Sequence, residues 1–151
     1  MLFQRINRSN PEKIFIVAYN SYSTASLTNG QAVNWDFITD CDGVGVTMPL
    51  ARATNAGVAV AGVAAETIAS GAYGLIQVYG YHSAVRCRSV TGGGTDVAKG
   101  RPLAMNVAGS VFCLESISTA STVILRYPCG IALAALAQFT TAAIAVFIKA
   151  L

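Results

Sequence analysis

Hydrophobic residues along this chain follow the two-residue period of β-strands, and no long amphipathic helix is predicted. The clearest example is residues 31–38 (QAVNWDFI), where Val33, Trp35 and Phe37 would share one face of a strand. We therefore expect Trp35 to lie in a core or in a subunit contact.

The chain is organised around residues 56–81, whose pattern predicts a strand, a bend and a second strand. Small Gly and Ala residues at 56–65 permit close backbone approach, and residues 75–81 supply β-branched and aromatic side chains. The bend contains Gly71 and Gly74, which tolerate unusual dihedral angles. Its predicted role is to build a sheet and present a surface.

Other short strands are separated by turns rich in Gly, Pro, Asn, Ser and Thr. They are predicted at residues 13–19, 44–48, 82–90, 104–114 and 123–127. Within residues 82–90, Arg86 and Arg88 would form one charged face. The predicted fold class is all-β, a small β-barrel or β-sandwich (jelly-roll-like) with an extended N-terminal arm. The arm would comprise residues 1–12, followed by a single β domain over residues 13–151.

The C-terminal segment, residues 129–151, has no charge before Lys149 and admits three interpretations. A stretch of about twenty uncharged residues could span a bilayer, or its first half could form a buried helix. Gly130 and polar residues in its middle favour a β-hairpin instead. We predict the hairpin and no membrane partner.

This segment also echoes the organising stretch, which predicts an internal hairpin repeat (56–81 and 129–151). The run that starts at Gly57 matches the run that starts at Gly130, and residues 75–78 match residues 144–147. We therefore expect Gly57 and Gly130 to occupy comparable positions in one β domain.

The amino-acid composition indicates an apolar protein surface. Hydrophobic residues make up 54% of the chain, charged residues make up 11%, and the mean hydropathy is +0.53. A lone protomer of this composition would leave apolar surface in water, so we expect self-association or docking onto a larger body. The net charge of +3 is mild and the ten Lys and Arg residues are scattered, so no nucleic-acid partner is predicted.

The four cysteines, Cys41, Cys87, Cys113 and Cys129, include no CxxC pair, and the chain has one histidine. A zinc site is therefore not expected. Two disulfides are conceivable, but the N-terminal residues lack the apolar run of a secretory signal. Reduced, mostly buried thiols in a protein assembled in the cytosol are the favoured interpretation.

Candidate chemistry is sparse. His82 has Ser83 beside it, but Val85 stands where a nucleophile elbow requires its second glycine. Residues 40–45 resemble half of a calcium loop without its later ligands, so we predict a hairpin turn there. Residues 92–94 with Lys99 lack the order of a phosphate-binding loop. We predict no catalytic residue, no metal, no cofactor, no small-molecule substrate and no enzymatic activity.

Several structural motifs together resemble the small β-rich decoration, or cement, proteins of tailed-bacteriophage heads. They are Asn29–Val33 with Trp35 and Asp36, Asp42–Val44 with Met48 and Pro49, Gly57–Val63, Gly71–Gly74, Ala98–Leu103, Gly130–Leu133 and Ile144–Phe147. The resemblance covers roughly residues 31–151. It implies a protein that binds the outer surface of an assembled capsid, commonly as a trimer, and stabilises it against internal DNA pressure.

From this resemblance we expect the major capsid protein as partner, a homotrimer, and a location on the virion's capsid surface after assembly in the host cytoplasm. Two alternatives remain open: another virion β-module, such as a head-fibre base or tail adaptor, and a small ligand-binding or hydrolytic β-barrel. The expected capsid or subunit contacts are Arg5, Asn7, Arg8, Trp35, Arg86 and Arg88. Arg5 and Arg8 lie in the predicted arm, where they could contact acidic or carbonyl groups of a shell.

Overall fold

The computed structural model describes residues 12–40, 42–48, 59–89, 97–105, 114–116, 128–137 and 140–150. They form nine β-strands and, within those ranges, no helix, so the all-β prediction is confirmed. The strands are β1 (Lys13–Asn20), β2 (Ala32–Trp35), β3 (Gly45–Thr47), β4 (Val60–Ala64), β5 (Tyr73–Arg88), β6 (Pro102–Met105), β7 (Leu114–Ser116), β8 (Gly130–Ala132) and β9 (Thr141–Lys149).

Backbone hydrogen bonds close these strands into two five-stranded rings that share β5. The first ring follows the order β1-β3-β2-β4-β5 and is closed by the pairing of β1 with β5. The second follows β5-β7-β6-β8-β9 and is closed by the pairing of β5 with β9. Each of the nine strands therefore has at least two partners, although β1 pairs with β3 only at Tyr19 and Asn20.

The two rings repeat one pattern of strand pairing. The first and third strands of each ring, β1 with β3 and β5 with β7, are parallel, and the other pairs are antiparallel. A turn precedes the second strand of each ring, at residues 27–30 and 97–100. Isolated bridges tie these turns to the bends that follow β4 and β8, through Leu27 with Ile68 and Val97 with Leu136.

The register of this repeat differs from the sequence prediction. Gly62 pairs with Val33 in the first ring as Gly130 pairs with Leu103 in the second. The counterpart of Gly130 is therefore Gly62, and the predicted counterpart Gly57 lies outside the described residues. Residues 75–78 likewise correspond to residues 145–148, one position later than predicted, because Ala64 pairs with Ile76 and Ala132 with Val146. Runs of small residues look alike in several registers, and ladder hydrogen bonds select one of them.

Each ring has its own hydrophobic core. The first contains Ala18, Leu27, Val33, Val46, Ala61, Ala64, Ile68 and Ile76. The second contains Ala32, Val63, Val85, Cys87, Val97, Leu103, Met105, Cys129, Ala132, Leu136, Ile144, Val146 and Ile148. Ala32 and Val63 belong to strands of the first ring but pack into the second core. The wall formed by β2 and β4 is therefore buried on both faces, which packs the rings against each other.

The strand predicted at residues 31–38 ends earlier than expected. β2 stops at Trp35, and Phe37 and Ile38 lie in the following turn with their side chains 57% and 72% exposed. The carboxylate of Asp36 accepts hydrogen bonds from the N–H groups of Ile38 and Thr39, at 3.1 and 3.0 Å. This local turn replaces the strand ladder, so the shared face predicted for Phe37 does not form.

The predicted bend at residues 66–74 is present, although its two glycines act differently. Gly71 has a φ of +75°, which suits the bend. Gly74 lies within β5, where a Cβ atom would collide with the side chain of Ile68. Its small size is therefore needed for packing inside the first ring.

The C-terminal segment forms β8 and β9, which pair antiparallel. The buried-helix interpretation is wrong for the described part of this segment, since residues 130–132 and 141–149 are strands. Among the residues that the structure describes, no helix has the length and apolar character needed to cross a membrane.

Two of the four cysteines belong to the second core. Cys87 and Cys129 are both buried, and Cys129 is a free thiol. Burial raises the pKa of the Cys129 thiol to about 12, so it stays protonated and unreactive at neutral pH. Cys41 and Cys113 lie outside the described residues, as do residues 1–11 of the predicted arm (1–12) and the predicted strand at 123–127.

The repeat supplies a matched pair of glycines that tests how closely the rings approach. Gly30 and Gly100 both have a φ of +85°, but a Cβ on Gly30 would collide with the carbonyl oxygen of Ala84, whereas one on Gly100 meets nothing within 4 Å. We expect Gly100→Ala to lower the free energy of unfolding by about 1–2 kcal/mol through dihedral strain. Gly30→Ala should cost roughly 1–3 kcal/mol more, because the backbone of β5 must shift.

Urea unfolding followed by tryptophan fluorescence measures both variants. Equal losses for Gly30→Ala and Gly100→Ala would show that the two rings do not meet tightly at Gly30.

Candidate contact surface

An exposed apolar face lies on the outer side of β1 and of the first half of β5. It consists of Phe15, Val17, Tyr73 and Leu75, with Val17 and Tyr73 about two-thirds exposed at 64% and 66%. We call it the β1–β5 face. Large apolar side chains grouped in this way on a protein surface mark a site of protein–protein contact.

The pairing of β1 with β5 assembles this face. Val17 lies opposite Leu75, and Tyr19 lies opposite Tyr73 with their ring centroids 5.3 Å apart. Because strand residues alternate between faces, Ala18 points into the core while its neighbour Val17 points outward. Two segments 58 residues apart in sequence thus form one uncharged patch.

A second exposed apolar group is the tip of the turn after β2, where Phe37 and Ile38 project into solvent. Asp36 holds this turn, since it accepts a hydrogen bond from the Ser21 hydroxyl at 2.6 Å as well as those from the turn backbone. Burial opposes ionisation of this carboxyl, but the hydrogen bonds outweigh it and lower the pKa of Asp36. These hydrogen bonds fix the conformation of the turn, so the tip that carries Phe37 and Ile38 has a defined shape.

The predicted contact residues do not form one site. Trp35 is half-buried at the end of β2 and packs against the first core. This placement agrees with the first of the two predicted positions, a core or a subunit contact. Arg86 is exposed and Arg88 half-buried on β5 within the second ring, where they alternate with the buried Val85 and Cys87. Arg5, Asn7 and Arg8 lie outside the described residues.

Sequence analysis missed the β1–β5 face. The signal was present in residues 13–19 (KIFIVAY), where apolar residues occupy both alternating faces of one strand. In a strand that buries only one face, such a pattern means that the second apolar face is left to a partner. Which face would remain exposed depended on the pairing with β5, which the local pattern does not contain.

A polar cleft lies where the two rings meet. Its volume is about 170 Å³, and its lining includes Lys13, Phe15, Asn29, Gln77, His82 and Ser83. We call it the junction pocket. It collects side chains from β1, from the turn before β2 and from the irregular part of β5, where the register with β9 shifts between His82 and Val85.

His82 is the one titratable side chain in this pocket that is buried, with 7% of its surface exposed. Its Nδ1 atom accepts a hydrogen bond from the backbone N–H of Ala84 at 3.1 Å. Burial, and then repulsion from the Lys13 ammonium, lower the pKa of His82 below its usual 6.5. No described side chain completes a Ser–His–Asp arrangement around it.

The acidic turn after β2 is held by local hydrogen bonds. Asp42 accepts a hydrogen bond from the backbone N–H of Val44 at 2.9 Å, and β2 and β3 pair antiparallel on either side of the turn. The hydrogen bond with Asp42 raises the pKa of Asp40. Within the described part of the chain, no group of three or more His, Cys, Asp or Glu side chains is placed to hold a metal ion.

Comparison with known proteins identifies a likeness in fold alone. No protein-family model matches the sequence, and no curated protein matches it. The fold is similar to the crystal structure of the head fiber gp8.5 N base of bacteriophage phi29, with a TM-score of 0.50 and 14% sequence identity. The similarity covers 92% of this chain and 96% of that chain. Both rings therefore fall within the shared fold.

The lowered pKa of His82 predicts a pH-dependent stability. Above about pH 7 the imidazole is neutral in the folded and unfolded states, so stability is at its full value. As the pH falls below 6.5, the unfolded state binds a proton more readily than the folded state, and stability decreases until the folded-state pKa is passed.

Urea unfolding in bis-Tris buffer between pH 7.5 and pH 5.0 measures this loss. His82 is the only histidine of the chain, so His82→Gln should flatten the dependence across this range. An unchanged slope in His82→Gln would assign the effect to another group.

Proposed function

We propose that this chain is a non-enzymatic structural protein of a bacteriophage virion, and that it serves as a base module that seats a head fibre on the capsid. The observation that carries the proposal is the shared fold with a head-fibre base over nearly the whole of both chains. In this role the protein sits on the capsid surface and binds the major capsid protein.

The β1–β5 face supports this proposal from the chain's own residues. A free-standing protomer would keep Val17, Tyr73 and their neighbours in water, at a cost of about 25 cal/mol for each Å² of apolar surface left unburied. The strands are already paired within their rings. We expect contact with a partner to proceed by side-chain packing on this face.

The oligomeric form proposed is a homotrimer. The high apolar fraction and the small number of charged residues favour a permanent subunit interface over a transient one. Packing between protomers would bury one group of exposed apolar side chains, and contact with the capsid shell would bury a second group. Among the described residues, the β1–β5 face and the tip with Phe37 and Ile38 are two exposed apolar groups that suit these contacts.

Capsid decoration is the second candidate, because the same apolar groups suit a protein that covers and stabilises a shell. The two functions differ in a measurable way. A decoration protein raises the temperature at which heads release DNA, whereas a fibre base binds heads without that effect and also binds the fibre shaft. The likeness to a head-fibre base favours the first function.

Binding to phage heads that lack this protein tests the proposal. We expect purified protein to occupy discrete surface positions, visible by electron cryomicroscopy. Val17→Lys places a charge on the β1–β5 face and should weaken binding or trimer formation at least about tenfold, since a lysine ammonium would have to be desolvated. It should change the free energy of unfolding by about 0.5 kcal/mol or less, because Val17 is exposed.

Ala142→Lys is the matched control, because it adds the same charge to an exposed position of β9. Head occupancy is measured by gel densitometry and the oligomeric state by light scattering. Absence of binding to heads by the unaltered protein would contradict both candidate functions. Equal effects of the two substitutions would exclude the β1–β5 face as the contact.

Deletion of residues 1–12 tests the proposed arm. Arg5 and Arg8 would supply charge-assisted hydrogen bonds to the shell, so we expect reduced occupancy and release at a lower temperature. Arg5→Gln with Arg8→Gln separates the charges from the length of the arm. Unchanged occupancy and unchanged thermal release after the deletion would remove the arm from the proposal.

A further inference from the structure

The junction pocket has a chemistry that a purely structural role does not use. It lies between the rings and adjoins the β1–β5 face at Phe15, and most of its accessible surface is polar. Its volume of about 170 Å³ exceeds the roughly 30 Å³ share of one liquid water molecule. It therefore has room for a small polar group together with its first carbon atoms.

Hydrogen-bond donors converge on this pocket. Since Nδ1 of His82 accepts the Ala84 N–H, the neutral imidazole carries its proton on Nε2, which is thus a donor. Lys13 contributes an ammonium group with three N–H donors, and Ser83 contributes a hydroxyl. These groups come from two different strands and face one space.

Gln77 stabilises the backbone of β5, the strand that carries His82. Its amide nitrogen donates to the carbonyl oxygens of Tyr79 and Tyr81, at 3.1 and 3.2 Å. The side chain therefore fixes the backbone of β5 on the approach to His82. The position of His82 is held by the fold before any ligand arrives, which reduces the entropy lost on binding.

Positive charge is in excess among the described residues around His82. Lys13 faces it from β1, the uncharged Asn29 faces it from the turn before β2, and its pairing partner on β9 is Val146. No Asp or Glu belongs to the described lining. Ala65 also lines the pocket. The carboxylate of the next residue, Glu66, accepts a hydrogen bond from the Leu75 N–H at 2.8 Å. An anion from outside would relieve this excess of donors.

We propose that the junction pocket binds a carboxylate, with the Lys13 ammonium and the His82 Nε2–H each donating to one of its oxygens. A carboxylate has two acceptor oxygens, one for each of these donors on the neighbouring strands β1 and β5. Phe15 forms an apolar wall against which the carbon stem of the ligand packs. The carboxylate is either a free small anion or the acidic side chain of a protein partner, and both share this chemistry.

Proton NMR of the single histidine tests the proposal directly, because the Hε1 resonance of His82 reports only this pocket. We expect sodium acetate to shift this resonance saturably and to raise the midpoint of its pH titration. Binding should be about threefold tighter at pH 5.5 than at pH 8, since a charged imidazole forms the stronger hydrogen bond. Acetamide, the neutral analogue, should have no effect.

N-acetyl-glutamate amide distinguishes the two sources of the carboxylate. Tighter binding of this compound than of acetate would identify an acidic side chain as the ligand, since its stem adds packing on Phe15. Binding of acetate without binding of the glutamate derivative would identify a free small carboxylate. N-acetyl-glutamine amide is the matched control and should not bind.

Lys13→Met and Ser83→Ala test the donors, and Lys99→Met is the control because Lys99 is exposed in the turn before β6. We expect Lys13→Met to weaken acetate binding at least about tenfold and Lys99→Met to leave it unchanged. Ser83→Ala, which is conservative and exposed, should weaken binding about threefold. Equal shifts with acetate and acetamide, tighter binding of inorganic phosphate than of acetate, or unchanged affinity in Lys13→Met would each overturn the proposal.

Discussion

The long strand β5 is the element on which the rest of the structure depends, because it pairs with different partners along its two halves. Its first half forms seven residue pairs with β1, and its second half forms eight with β9. Each backbone hydrogen bond in these ladders contributes a net stabilisation of about 0.5–1.5 kcal/mol. Each pairing also closes a ring and so encloses a core. Without β5, neither group of four remaining strands would close.

Because the two rings share β5, polar side chains are buried at the junction between them. The change of partner along β5 brings an irregular register at His82 and Val85, and the backbone there must find other hydrogen bonds. His82 accepts a hydrogen bond from the N–H of Ala84 within the shift, and Gln77 donates to the carbonyl groups of Tyr79 and Tyr81 just before it. Polar side chains are thus buried here for a structural reason, and the same placement gives the junction pocket its donors.

Ring closure also determines how the protein meets a partner. Since each strand is paired within its ring, we expect the side chains that point outward from the rings to form the apolar surface for contact. The β1–β5 face and the tip after β2 are such surfaces, and both are built from residues that a strand pattern alone would place in a core.

The sequence by itself determined the class of structure and the positions of many elements. An apolar run of strand composition predicted β1, a period-two pattern predicted the alternation of Arg86 with Val85 and Cys87, and glycine placement predicted the bend at Gly71. These features are local, since they rest on side-chain alternation and on dihedral preferences within a few residues. The resemblance between residues 56–81 and 129–151 was also visible, although its register was not.

Only the tertiary structure decided the two rings, the shared role of β5 and the assembly of the surface sites. Nothing local distinguishes Gly57 from Gly62 as the counterpart of Gly130, because ladder pairing between distant segments selects the register. Phe37 leaves its strand because Asp36 accepts two turn N–H groups. Val17 and Tyr73, and likewise Lys13 and His82, become neighbours through pairings that span more than fifty residues. Such contacts depend on chain closure, and the sequence around each residue carries no record of them.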